Sequence, residues 1–315
     1  MAREELLSLI RRIRAELPRV RYVVLSGGEV TLLGRDLLDA ISTATALGLG
    51  SRIVTNGHWA RTDAAAERWV SDLSAAGLGE LNLSTGDEHR EWVPVERVAR
   101  AALHAIRKQI LTVVTVEAGR DARRSVEEFL SLPQVGEILA DQGLADRLIT
   151  VTSVWMPFHA GAGRRYDGDV TAPSGCDNIF TNLGVNPHGA LISCCGLTVE
   201  HIPEMKVGRV NDPGTLQQAY AAQFDDLLKL WIWVDGTRAI LDLAAARSGR
   251  RPRAGSSHHC AMCVELYREP WLRSAARELV ARKADDLVFR SLLKASLTGR
   301  TERAGTMTAE NRHRA

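Results

Sequence analysis

Five cysteines in a chain of 315 residues all fall in its second half, at Cys176, Cys194, Cys195, Cys260 and Cys263. An odd number in a chain of this size argues against a disulfide framework, and thiols in a reducing compartment more often serve metal or chemistry. The Cys260-Ala261-Met262-Cys263 pair brings two thiolates to the same side of a turn, where they can chelate one centre. Twelve residues separate Cys176 from Gly189, and four separate Gly189 from Cys194. The stretch Asn186-Pro187-His188-Gly189-Ala190-Leu191-Ile192-Ser193 predicts a hairpin turn running into a strand. A hairpin that delivers Cys176 and Cys194, closed by the distant pair, gathers four thiolates around one metal. On spacing alone, a structural zinc ion and an iron–sulfur cluster fit equally well. Cys195 reads as a packed thiol or an alternative ligand, and His258 and His259 read as part of a solvated loop, with a ligand role as the alternative.

Behind these residues stands a regular repeat. A charged amphipathic helix over residues 3–17 comes first, with Leu6, Leu9, Ile10, Ile13 and Leu17 on one face. Strand-like runs then recur near Val23, Ile53, Leu83, Val114 and Val151, about thirty residues apart. Helical patterns fill the gaps at 33–47, 62–76, 95–108 and 125–141, the last interrupted at Pro133. This is the βαβ period, and it predicts an α/β fold with a parallel sheet. Its opening is unusual, because the first helix needs a sheet to lie on and no strand precedes it. Past Gly163 glycines, turn residues and the cysteines dominate. Helical patterns follow at 216–230 and 237–246, then a long helix at 271–293. Trp155, Trp231 and Trp233 read as core. The expected organisation is residues 1–165, 166–270, a C-terminal helix at 271–297 and a disordered polar tail at 298–315.

The carboxyl ends of the strands carry a second set of candidates, where parallel α/β sheets place their ligands. After Tyr22-Val23-Val24-Leu25 come Ser26-Gly27-Gly28-Glu29, two glycines that let a ligand approach bare backbone beside one fixed charge. Thr55-Asn56-Gly57 follows the second strand. Ser84, Asp87 and His89 crowd the end of the third, and Gly161-Ala162-Gly163-Arg164 follows the fifth. Asp87 and His89 are the candidates for touching substrate. The net charge of +2 gives nucleic-acid binding no support. No apolar run is long enough to span a bilayer and the amino terminus is not signal-like, so a cytoplasmic protein that does not engage membranes is expected.

In order and position, these strand-end motifs resemble those of radical SAM enzymes over residues 3–165. The resemblance implies a partial (βα)6, TIM-like barrel that lacks its first strand and holds S-adenosylmethionine (SAM) across its top. Gly27, Gly28 and Glu29 would meet the methionyl amino group, Ser84 would lie near the ribose and Gly163 and Arg164 near the adenine, with Thr55 and Asn56 on the same rim. The cysteine pattern resembles the twitch domain, a short form of the SPASM domain. It implies an auxiliary 4Fe-4S cluster on Cys176, Cys194, Cys260 and Cys263. The family's CxxxCxxC loop, which holds the cluster that cleaves SAM, is not in this sequence, since no cysteine precedes Cys176. Ser256-x3-Cys260-x2-Cys263 lacks the first thiolate and does not replace it. A truncated start would account for both this and the orphan first helix. The resemblance therefore implies a peptide-modifying, maturase-type enzyme in complete form, with a peptide or small-protein substrate and a flavodoxin- or ferredoxin-like reductant. A second 4Fe-4S cluster would be present only with the missing loop restored. The alternative is a non-catalytic iron–sulfur or four-cysteine zinc scaffold that binds a partner.

Overall fold

A computed structural model describes residues 1–118, 125–154, 175–196, 199, 202–252 and 258–298. The chain forms two compact units, Met1–Trp155 and Met156–Ala315. The expected boundary at 165, with Gly163 and Arg164, lies outside the described residues, as do Trp155 and Ser256.

The first unit begins with α1 (Arg3–Glu16), β1 (Tyr22–Leu25), α2 (Arg35–Ala46), β2 (Gly50–Thr55), α3 (Asp63–Ala76) and β3 (Glu80–Thr85). It continues with α4 (Asp87–Arg90), α5 (Val95–Arg107), β4 (Leu111–Ala118), α6 (Val126–Leu130), α7 (Pro133–Leu139), α8 (Gln142–Ala145) and β5 (Leu148–Val154). All five strand expectations and the four gap helices are present, the last divided at Pro133, which opens α7 at its first position. The strands are parallel and lie in the order β1-β2-β3-β4-β5. Alternation decides what each face does. Leu25, Ile53, Leu81, Leu83 and Val114 share one face and join a core with Leu37, Ile41, Val70, Leu73, Val98 and Ile106 from the helices. The next row pairs Val24, Arg52 and Glu80 side by side, and there Arg52 and Glu80 form an ion pair at 2.7 Å. Nine of the thirteen residues of α5 are buried, because it packs on β3 and β4 and also meets α3 and α7. The first helix finds its cover in α2 and β1, where Leu7 and Ile10 cluster with Val23, Ala40 and Ala44.

The second unit has a three-stranded antiparallel sheet of β6 (Gly184–Val185), β7 (Ala190–Ile192) and β8 (Lys206–Arg209), in that order. Its helices are α9 (Leu216–Ala221), α10 (Leu227–Ser248), α11 (His259–Arg268), α12 (Pro270–Arg282) and α13 (Ala284–Leu297). Trp231 and Trp233 are core as expected, packed with Ile240, Leu266, Leu272 and Leu287.

The helix boundaries differ from the periodic reading. The patterns at 216–230 and 237–246 become α9 and a 22-residue α10. Asp226 starts α10 by accepting from the amides of Leu228 (3.0 Å) and Lys229 (3.2 Å). Gly236, at φ +80° and ψ 163°, breaks α10 in the middle. The single C-terminal helix is two helices that break at Lys283, where Asp285 and Asp286 open the first turn of α13. Both helices share the core of the second unit, so residues 271–297 are part of that unit.

Candidate functional site

The break in α10 seats the first cysteine. A helix broken at Gly236 leaves the carbonyls one turn before it without their helical donors. The Ile232 carbonyl instead accepts from the Cys176 amide at 3.0 Å. The Trp233 carbonyl accepts from Lys294 Nζ at 2.7 Å. Lys294 also meets the Asp177 carboxylate at 2.9 Å and lies 5.2 Å from the centre of the Trp233 ring. One turn earlier on α13, Arg290 holds Asp235 through both carboxylate oxygens. Gly175 allows this approach, because a Cβ there would fall on the Trp233 carbonyl oxygen and 2.8 Å from that of Val234.

Cys194 follows β7, at the end of the predicted hairpin. Asn186 accepts from the amides of His188 (3.1 Å) and Ala190 (2.9 Å), and Gly189 turns at φ +78°. Cys260 and Cys263 lie in the first turn of α11 rather than in a loop. His258 caps that helix, its Nδ1 accepting from the Cys260 amide at 3.1 Å. Burial and the neighbouring His259 hold its pKa down, which keeps the imidazole in the neutral form that can accept. The solvated-loop reading of His258 and His259 is therefore corrected: both belong to the capped end of α11.

These segments bring the four cysteines together. A Cβ on Gly196 would lie 3.3 Å from Cys260 Sγ and 3.5 Å from Cys194 Sγ, so the two sulfurs flank one glycine. Cys176, Cys194 and Cys263 pack against the core of the unit. Burial pushes the Cys194 thiol up to about 12, and the nearby charges of Cys195, Cys176 and Cys260 push the same way. Burial likewise pushes Cys263 well up, and Cys194, Cys260 and Cys176 add to it. Left alone, these thiols keep their protons. Cys195 is exposed, which corrects the packed-thiol reading. Among the described residues, no three His, Cys, Asp or Glu side chains already stand as a ligand set for a metal ion.

At the strand ends of the first unit, Gly27 (φ +107°) and Gly28 (φ +51°) are exposed, with no atom within 4 Å of where a Cβ would stand. Glu29 is bound into the scaffold. Its Oε1 accepts from the Thr31 amide (3.1 Å), the Thr31 hydroxyl (2.6 Å) and the Thr55 hydroxyl (2.7 Å). Its Oε2 accepts from the Asn56 amide at 2.9 Å. Thr55 accepts in turn from the Gly57 amide and from Trp59 Nε1, each at 3.2 Å. The first two rim motifs are thus one hydrogen-bonded piece. Ser84 shares a sheet face with Asn82, whose Oδ1 accepts from the Thr115 hydroxyl at 3.2 Å.

Asp87 and His89 lie in α4, directly after β3. Glu117 on β4 fixes this turn by accepting from the Glu88 amide at 3.0 Å. Gly86, at φ +144°, leaves room for the Glu117 side chain, which any Cβ there would strike. Burial lowers the pKa of His89 against the opposing charges of Glu88 and Glu29, so His89 belongs to the electrostatic neighbourhood of the rim. Glu117, Gly236 and Lys294 are the residues positioning these places that sequence reasoning missed.

Comparison with known proteins adds nothing to this geometry: no protein-family model matches the chain, and no curated protein matches it. No helix among the described residues is long and apolar enough to cross a membrane.

Proposed function

We propose that the second unit holds a 4Fe-4S cluster through Cys176, Cys194, Cys260 and Cys263, as a twitch-type domain would. The first unit is then a partial TIM-like barrel whose rim of Gly27, Gly28, Glu29, Thr55, Asn56 and Ser84 takes SAM. The observation that carries this reading is the convergence of four partly buried thiols from three distant segments on one place. The raised pKa values of Cys194 and Cys263 fit a site completed by metal, because iron displaces the protons that burial otherwise keeps on sulfur. When bound, such a cluster supplies an electron acceptor or an iron corner that anchors substrate.

The strand order of the first unit supports the barrel, because it runs from β1 to β5 without the reversal of a doubly wound sheet. At the rim, Glu29 Oε2 receives one protein donor where Oε1 receives three. It therefore has capacity to accept from an ammonium such as the amino group of SAM. Asp87 and His89 border the same rim. SAM cleavage is not assigned to this sequence, in which no CxxxCxxC precedes Cys176. A peptide-modifying role and a flavodoxin- or ferredoxin-like reductant belong to a form that carries that loop. A second reading is a non-catalytic, cluster-bearing scaffold that binds a partner.

Anaerobic reconstitution of the full chain with iron and sulfide tests the cluster. About four irons per chain with visible charge-transfer absorption are expected, and a variant lacking Cys194 loses both. One zinc per chain without visible absorption would replace the cluster by a structural zinc site. Uptake of neither metal would refute the site altogether.

A further inference from the structure

Two polar groups are buried beside the four cysteines. Lys229 lies in the apolar first half of α10 and is 4% exposed. It is one helical turn before Ile232, whose carbonyl seats Cys176. Its nearest acid, Asp226, is 3.8 Å away and already spends Oδ1 on capping α10. Besides Asp226, the charges that favour its ammonium against burial are Cys194 and Glu204, and Glu204 is itself 3.5 Å from Arg273. Tyr267 is 4% exposed, and its hydroxyl is buried with no hydrogen-bond partner. It follows Cys263 by one turn of α11, so the two share a helix face. After burial itself, the largest charge effect on it is that of Cys263, followed by those of Asp226, Glu204 and Cys194. An orphaned hydroxyl in a core is destabilising unless something at the site accepts from it.

We propose that Lys229 and Tyr267 raise the reduction potential of the four-cysteine cluster, Lys229 as a buried counter-charge and Tyr267 as a hydrogen-bond donor to its sulfur. This rests on the cluster reading above. Reduction adds one electron, from an external reductant, to a site already made negative by four thiolates. No bond forms or breaks. A buried cation and an O–H dipole aimed at sulfur make that electron easier to accept, and both effects grow in a medium of low dielectric.

The test is an anaerobic redox titration of the reconstituted full chain, in which dithionite with mediator dyes sets the potential and the visible absorption reports cluster oxidation. Lys229→Met is expected to retain the wild-type iron content. At a fixed potential it should show a ratio of reduced to oxidised cluster at least tenfold lower, which is about 59 mV for a one-electron couple. Lys229→Arg, which keeps the charge, is expected to restore most of the shift. Tyr267→Phe should move the midpoint the same way by a smaller amount. An unchanged midpoint in Lys229→Met with full iron overturns the proposal. If Lys229→Met fails to hold iron, Tyr267→Phe decides, and an unchanged midpoint there overturns it equally. A wild-type chain that takes up no cluster would instead remove the cluster reading, and this proposal with it.

Discussion

Replacing Glu29 by glutamine tests whether the rim is a prebuilt structure. The carboxylate accepts four hydrogen bonds, two of them from backbone amides, at Thr31 and Asn56. Glutamine has one acceptor oxygen and one donor group, so whichever way the amide turns, one position opposes a donor to a donor. The less costly choice puts the nitrogen opposite Asn56, since Oε1 serves three donors. The Asn56 amide then loses a charge-assisted partner, and the bonds that remain lose the charge. Together these cost about 2–3 kcal/mol. For a unit of about 155 residues, each kcal/mol corresponds to roughly 2–4 °C, so a drop of ~5–10 °C in the first transition seen by circular dichroism is expected. Because two units can melt separately, amide exchange localises the effect. The Asn56 amide should exchange at least tenfold faster, the factor that about 1.4 kcal/mol represents. Melting within about 1 °C of wild type together with unchanged protection at Asn56 would refute the argument that Glu29 organises the rim.

Two further outcomes follow from the packing. Gly175→Ala should lower stability by about 1–3 kcal/mol and reduce iron uptake, because the new methyl pushes Cys176 off the α10 carbonyls. Gly136→Ala, in a helical position with open space, should be neutral or stabilising by about 0.5–1 kcal/mol; equal behaviour of the two variants would remove the steric account. On α3, Glu67 is held down to about 2, chiefly by its bond to Lys108 and then by His104, and Asp63 is lowered chiefly by His104. A carboxyl whose folded pKa lies below its unfolded value stabilises fully above about 4.5 and loses that contribution as the pH falls toward 2. Glu67→Gln should therefore flatten the acid unfolding curve in that window, and less so in high salt because the pair is exposed. Superimposable curves for variant and wild type would refute the assignment.

What could be read from the sequence was what repeats locally. The short apolar runs near Val23, Ile53, Leu83, Val114 and Val151, and the helical patterns between them, are local signals, so the βα order survives without any knowledge of contacts. The hairpin at Asn186–Gly189 was legible because Asn and Gly favour turns through their own chemistry. The break at Gly236 was not, since glycine inside an apolar run is ambiguous until α13 is known to supply Arg290 and Lys294 to the broken turn. Glu29 was legible as a charge beside an opening, but not as a carboxylate shared between two loops. Its partners Thr55 and Asn56 lie 26 and 27 residues further along the chain. The orphaned Tyr267 hydroxyl is likewise a fact of tertiary packing, and no spacing announces it.

The four partly buried cysteines admit one rival explanation, that they are small apolar side chains packed against a core, as cysteines often are. That rival predicts interchangeable surroundings, and the surroundings are not interchangeable. A core needs no glycine between Cys194 and Cys260, yet Gly196 stands where a Cβ would contact both sulfurs. It needs no break in its longest helix to seat the Cys176 amide, nor a glycine before it to avoid the Trp233 carbonyl. It gains nothing from a buried ammonium and an unsatisfied hydroxyl, each of which destabilises an apolar interior. Of these, the ammonium and the hydroxyl are groups suited to negative charge on sulfur, which thiols acquire on binding metal and not on packing. Replacing Cys194 by alanine or by serine therefore separates the two accounts. If the cysteine is filler, alanine, which loses only the sulfur's contacts, disturbs the fold less than serine, which buries a hydroxyl, and metal content is irrelevant. If it is a ligand, both variants lose iron alike while the metal-free fold persists.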